Sequence, residues 1–165
     1  MESNPYEAPS SDLAVATNDQ ISSNFDRFSA WWVFLLTIFT FGIYPVYWVY
    51  TRAQTVNRIQ DNQIAPAWIY LTVIFFALTI VVEFIAPEKV ELAIIVNIAY
   101  FVALLTTLFK IKNRLQKMMS ETTGSNYTLG PVLTFFFHSI YLQYKINEFI
   151  DNSKLASDSE TATAG

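Results

Sequence analysis

The sequence predicts an all-α, polytopic membrane protein, with four transmembrane helices between disordered N- and C-terminal tails. Three observations carry that expectation. Of the 165 residues, 53% are hydrophobic and 16% aromatic, and only 15% are charged, against about a quarter in soluble domains. The charges are segregated: residues 28–51, 62–82 and 92–109 carry none, and 122–144 hold only the titratable His138. Each run meets or approaches the roughly 20 apolar residues that a spanning helix needs.

The elements follow in order. Residues 1–28 are acidic and rich in Ser, Asn and Pro, too poor in apolar surface to order themselves. They lack the basic start and short apolar core of a cleavable signal peptide, so the first apolar segment is expected to remain as an anchor. The first helix is expected over 29–50, with Ser29 as N-cap and with Gly42 and Pro45 loosening it near its end. The second is expected over 65–85, where Pro66 suits the first turn and Pro87 a stop. The third covers 90–109 and extends to 119. The fourth covers 129–146, opened by Gly130-Pro131. The short link APEKV makes the second and third a tight antiparallel pair. Residues 151–165 read as a second disordered tail.

Two of these helices are expected to continue past the bilayer as short amphipathic extensions. Ala53, Val56 and Ile59 share one face after the first, and Ile111, Leu115 and Met118 share one face after the third. The two faces are expected to pack on each other or lie at the membrane surface. Arg52, Arg58, Lys110, Lys112, Arg114 and Lys117 fall in the loops beside them, against Arg27, Lys89, Lys145 and Lys154 on the other side. Basic loops favour the cytoplasm. With four spans, both termini are then expected on the non-cytoplasmic side of a bacterial inner membrane.

An aromatic echo runs through the chain. The stretch FTFGIYPVYWVYTR (39–52) is answered by FFFHSIYLQYK (135–145). Laid together so that Tyr44 meets Tyr141, the copies also match at Leu36/Leu133, Thr37/Thr134, Phe39/Phe136, Ile43/Ile140 and Tyr47/Tyr144. Two readings compete. In the first, Tyr44, Tyr47, Trp48, Tyr141 and Tyr144 form an interfacial belt. Snorkelling cations would close it, Arg52 stacking on Trp48 and Lys145 on Tyr141. In the second, the copies are an inverted repeat of the kind found in transporters.

The pattern LLTIFTFGIYPVYWVYTRAQTVNRI followed by GPVLTFFFHSIYLQYKINEFI resembles a family of small bacterial membrane proteins catalogued as domain of unknown function 4234. Thr40, Gly42, Ile43, Tyr44, Tyr47 and Trp48 match its first hallmark, and Tyr141, Gln143, Tyr144 and Asn147 its second. The resemblance covers most of 30–150. It implies a membrane location and no activity. The opening NPYEAP (4–9) is similar to the start of several inner-membrane proteins.

The chemistry-bearing residues are few. Glu83, Asn97, Thr106 and His138 lie near or within the expected spans, where a polar group is a functional candidate. Glu83 is near a helix end, close to Glu88, Lys89 and Glu91. Asn97 is expected to hydrogen-bond between helices, and His138 to serve as polar glue or as a proton-handling group. With one His and no Cys, an ordinary zinc site cannot be assembled. No H-E-x-x-H, G-x-S-x-G or Gly-rich phosphate loop occurs. The reading is therefore non-enzymatic, with no cofactor and no nucleic-acid partner, given a net charge of −4. The partners expected are the lipid bilayer and a membrane-protein partner or a second copy. An accessory, assembly or regulatory subunit leads. The rivals are a small transporter or channel, and an anionic-lipid-binding protein that uses Arg58, Lys110, Lys112, Arg114 and Lys117.

Overall fold

The computed structural model describes residues 24–163. Its helices are α1 (Ala30–Phe39), α2 (Ile43–Ile59), α3 (Pro66–Ile85), α4 (Val90–Thr123) and α5 (Pro131–Thr163), with no strand among the described residues. The all-helical expectation holds; the four spans do not. Among the described residues, only α3 and the first part of α4 are long and apolar enough to cross a membrane. The other two apolar segments break in the middle and fold back.

The first break is built by TFG at 40–42. The Gly42 N–H reaches the Thr37 carbonyl (3.0 Å) and the Phe41 N–H that of Ile38 (3.1 Å), the bond pair that closes a helix on a left-handed residue. Phe41 takes φ 50° and Gly42 φ 87°. Only the glycine does so without steric cost. Thr40 Oγ1 accepts the Tyr44 N–H (2.9 Å), satisfying one of the donors left open in the first turn of α2. Pro45 also sits in that turn, where its missing N–H forfeits no helical bond. Gly42 and Pro45 thus end one helix and start another. Ser29 stands at the N-cap of α1 without a side-chain capping bond.

The second break lies at His138, with φ 42° and ψ −122°; it divides α5 into 131–137 and 139–163. The Gly130 N–H donates to the Tyr141 hydroxyl (2.8 Å), and the Tyr127 and Phe149 rings lie 6.2 Å apart. Residues before the break therefore run back beside those after it. The first pair folds back similarly, with the Phe28 and Tyr44 rings at 6.3 Å and the Arg52 guanidinium 5.9 Å from the Phe25 ring.

These breaks coincide in the aromatic echo. Phe41 and His138 occupy the same place when Tyr44 is laid on Tyr141. Thr37 Oγ1 donates to the Val33 carbonyl (2.7 Å) and Thr134 Oγ1 to the Gly130 carbonyl (2.9 Å), again at matching positions. Both hairpins rise from the same end of the molecule. The copies are thus related in parallel and not inverted, which corrects the inverted-repeat expectation.

Between them in sequence comes the α3–α4 pair, joined by the turn after Ile85. Thr72 and Thr107 share a hydroxyl–hydroxyl bond of 3.0 Å, and Phe76 and Tyr100 have ring centroids 5.4 Å apart. His138 reaches the Phe101 ring at 6.4 Å, and Ile43 and Phe76 line one shallow groove. Both hairpin tips therefore lie beside the middle of this pair.

The molecule has two unlike halves. One end, here termed the base, has a conventional core: Trp48, Ala53 and Val56 of α2, Leu108, Ile111 and Leu115 of α4, and Leu142 and Ile146 of α5 are buried together. The two amphipathic extensions do pack on each other there. Phe25, only 1% exposed, belongs to this core, so the N-terminal stretch is packed from that residue onward. Residues 1–23, with the NPYEAP motif, lie outside the described residues. At the other end of the chain, α5 continues to Thr163 through residues expected as a tail, a stretch with the helix formers Lys, Leu, Ala and Glu.

In the other half the apolar side chains face outward. Phe41 at the first tip is 94% exposed. In the most apolar window of each long helix, only 11% (α3) and 22% (α4) of residues are buried. A core helix of a water-soluble protein hides such a surface; a helix in lipid displays it.

Candidate functional site

The most connected polar group is a clasp at the base, where both hairpins and the incoming chain meet. Gln143, fully buried, is its hub. Its Oε1 accepts the Trp48 indole N–H (2.9 Å) and an Arg52 guanidinium N–H (3.3 Å). Its Nε2 donates to Asn147 Oδ1 (3.0 Å) and to the Asp26 carbonyl (3.5 Å). Asn147 in turn donates to the Phe28 carbonyl (2.7 Å) and accepts the Phe28 N–H (3.3 Å). A strand-like bond pair thus ties residue 28 to a helix side chain, and α1 departs from that fixed point. Gln143 and Asn147 sit four apart on one face of α5, as this reach requires.

Ionic contacts flank the clasp. Arg27 donates through Nε and Nη2 to both Asp151 oxygens (2.8 and 3.0 Å). That bond raises the guanidinium further and lowers the Asp151 carboxyl from its usual range. Lys145 donates to Glu148 (2.6 Å), which raises its ammonium. Burial lowers Arg52, opposed by the charge of Asp26; its Nε is buried with no hydrogen-bond partner.

Beside the clasp a groove runs between α1 and α5. Its apolar part, about 650 Å³, is walled by Phe34, Phe136, Phe137 and Ile140. Ala30, Trp31 and Tyr144 line this part and also a polar recess of about 480 Å³ that holds Arg27, Asn147, Glu148 and Asp151. The two spaces adjoin across these three residues, the apolar one toward the tips and the polar one toward the base.

The residues singled out from sequence fall as follows. Tyr44 packs on Phe28 and Tyr47, and Tyr47 is exposed. Trp48 and Arg52 are in the clasp, and Arg52 lies over Phe25 instead of Trp48. Tyr141 receives the Gly130 N–H, so the expected Lys145 stack on it is replaced by approaches to Tyr127 (5.9 Å) and Tyr144 (5.7 Å). The burial of Trp48 in a polar network corrects its placement as an interfacial belt residue. Gly42 and Pro45 make the first turn-back.

The expected lipid-headgroup cations are mostly engaged within the protein. Arg114 donates to Asn62 and Gln63 carbonyls (2.7 and 3.1 Å) and holds the α2–α3 loop. Lys110 lies 5.9 Å from the Trp68 ring, and Lys117 pairs with Glu121 (3.6 Å). Lys112 is buried beside Asn113, and Arg58 occupies the last turn of α2. They do not form one patch, because Lys112 faces away from Lys110, Arg114 and Lys117 around the helix.

The intramembrane candidates are not brought together either. Glu83 is exposed near the end of α3. Asn97 is exposed and donates to the Ala93 carbonyl of its own helix (2.9 Å), so it is not the interhelical bond expected; Thr72–Thr107 is. His138 forms the second break, its Nε2 buried without a hydrogen-bond partner. No group of three His, Cys, Asp or Glu able to hold a metal occurs among the described residues.

Residue reading missed the Arg27–Asp151 pair and the central place of Gln143. A polar amide set between apolar Leu142 and Tyr144, with Asn147 one turn on, was the available signal. Arg27 and Asp151 are separated by nearly the whole chain and left none. The family model described as "Domain of unknown function (DUF4234)" matches residues 28–152, and the chain belongs to that family. The match begins at the residue the clasp fixes and ends one residue beyond Asp151. No curated protein and no solved structure matches the chain.

Proposed function

We propose that this DUF4234 member is a multi-pass inner-membrane protein that acts through contacts, as an accessory, assembly or regulatory subunit. In this reading α3 and α4 cross the bilayer while the two hairpins re-enter it from the base. At about 15 Å, the 10 residues of α1 reach only halfway through a hydrocarbon core of about 30 Å. The single observation that carries the reading is the pair of equivalent breaks, at Phe41 and His138, in segments whose apolar side chains face outward. The backbone at the first break is internally bonded, as lipid demands.

Re-entry changes the orientation that four spans implied. Of the 10 Lys and Arg residues, all but Lys89 then fall on the base side. Basic loops favour the cytoplasm, so in this reading the base, with Arg27 and Asp151 on it, faces the cytoplasm. The Trp31, Trp68, Tyr70 and Tyr144 side chains would sit at headgroup level.

The outward apolar surfaces around the hairpins supply contact area for that use. The test is to release the protein from its native membrane in mild detergent and weigh the intact complex. A second protein at fixed stoichiometry is expected; a lone chain in every mild detergent would refute the subunit reading. One observation favours transport instead, the break at His138 beside Phe101, since broken helices line transporter sites. Under that reading His138→Leu abolishes a flux, and under the subunit reading it leaves assembly intact.

A further inference from the structure

We infer that the cleft between the two hairpins holds one phospholipid with a zwitterionic, amine-bearing headgroup, a refinement that rests on the re-entrant membrane reading above. The shape of the space comes first. The apolar part, about 650 Å³, is within the range of ligand clefts, about 300–1,000 Å³. It is walled by Phe34, Phe136, Phe137 and Ile140 and adjoins a polar recess with which it shares Ala30, Trp31 and Tyr144. An apolar slot beside a polar recess matches an amphiphile whose acyl chain points toward the hairpin tips. Trp31 and Tyr144, at the junction, are the residue types that settle at the headgroup boundary.

Charge selects the headgroup. The recess carries one cation, Arg27, and two carboxylates, Glu148 and Asp151. Arg27 spends Nε and Nη2 on Asp151, which leaves Nη1 to donate to a phosphate oxygen. The side chains of Arg27 and Asp151 remain 61% and 44% exposed, so both keep a face toward the recess. Lys145 holds Glu148 from outside the recess, and Lys154 acts on Asp151. A headgroup bearing only negative charge meets two carboxylates with one arginine among them. A headgroup bearing phosphate and ammonium finds a partner for each. This site lies on α1 and α5, apart from the anionic-lipid site expected around Lys110–Lys117 of α4.

The experiment uses the full chain, purified and fully delipidated, then offered equimolar dioleoyl phosphatidylethanolamine and dioleoyl phosphatidylglycerol and weighed as intact complexes. One phosphatidylethanolamine per chain is expected, favoured at least 10-fold over phosphatidylglycerol. Ala30→Trp, which fills the junction, should abolish retention, and Ile95→Trp, on the outer face of α4, should leave it unchanged. Equal or greater retention of phosphatidylglycerol overturns the proposal without recourse to any variant, as does a lipid-free dimer with the cleft closed by a second copy. Alkaline carbonate extraction of membranes separates the two levels of failure. Release into the supernatant sinks the membrane reading itself; retention in the membrane without selective lipid binding sinks only this site.

Discussion

Replacing Gln143 with leucine removes the hub of the clasp while keeping nearly the same volume. Four hydrogen bonds end on that amide. The Trp48 indole N–H, 2% exposed, would be left buried and unpaired at about 1–3 kcal/mol. The bond from Arg52 has a charged donor and is worth about 1.5–3 kcal/mol, and Arg52 already has one buried nitrogen without a partner. Asn147 keeps both bonds to Phe28, and the carbonyl of exposed Asp26 gives up only a 3.5 Å contact, so the main loss falls on two donors. The expected cost is about 3–5 kcal/mol, or roughly a 10 °C fall in the melting midpoint for a chain of this size. Intrinsic fluorescence, with Trp48 as a reporter, follows the transition in detergent. Pairing Gln143→Leu with Trp48→Phe in a double-mutant cycle should return a coupling of about 1 kcal/mol or more. A single-variant loss below about 1 kcal/mol, or additive effects of the two, would refute the claim that this network holds the hairpins together.

Gly42→Ala should cost about 1 kcal/mol in the same melts, because φ is 87° there while nothing lies within 4 Å of an added Cβ; an unchanged midpoint would contradict the left-handed turn. His138→Gly should stabilise by about 1 kcal/mol, since φ 42° with ψ −122° is a conformation only glycine adopts at ease, and a loss of stability would show that the imidazole packing outweighs the strain. The Arg27–Asp151 pair gives a pH dependence of definite sign. Asp151 is lowered by the bond from Arg27, so its contribution is present above the ordinary carboxylate range and is lost as pH falls through the lowered value. The protection of the Phe28 amide, taken relative to its intrinsic exchange rate at each pH, should therefore fall in acid, and Asp151→Asn should remove that acid-dependent change.

How far the sequence reached depends on the kind of signal. Helix type and the α3–α4 pair were legible from charge-free runs bounded by Pro66 and Pro87. The break at 40–42 was half legible. Gly42 and Pro45 announced a disturbance, but local sequence does not distinguish a kinked span from a reversal. The difference lies in Thr40 Oγ1 and the Thr37 carbonyl, which satisfy the opened backbone, and in Val33 and Phe28, which pack back on the neighbouring helices. The break at His138 carried no glycine or proline, and only the echo with Phe41 pointed to it. Arg52 and Lys145 were assigned to nearby rings because those rings were four residues away. Phe25 and Gln143, from distant segments, took Arg52, and Glu148 one turn on, with the distant Tyr127, took Lys145. Gln143 and Asn147 were marked by family resemblance alone, with their roles set by the return of residues 26–28, which periodicity cannot foresee.

The re-entrant hairpins are the central claim, and the chain contains no cysteine, so single cysteines report position without background. Ser29→Cys, Asp61→Cys, Glu88→Cys and Asn152→Cys would each be labelled with a membrane-impermeant maleimide from one face of sealed vesicles at a time. The account predicts that positions 29, 61 and 152 react from the same face and position 88 from the other. If position 61 instead reacts from the face opposite to 29 and 152, with 88 on their side, the chain crosses four times and the re-entrant hairpins do not exist.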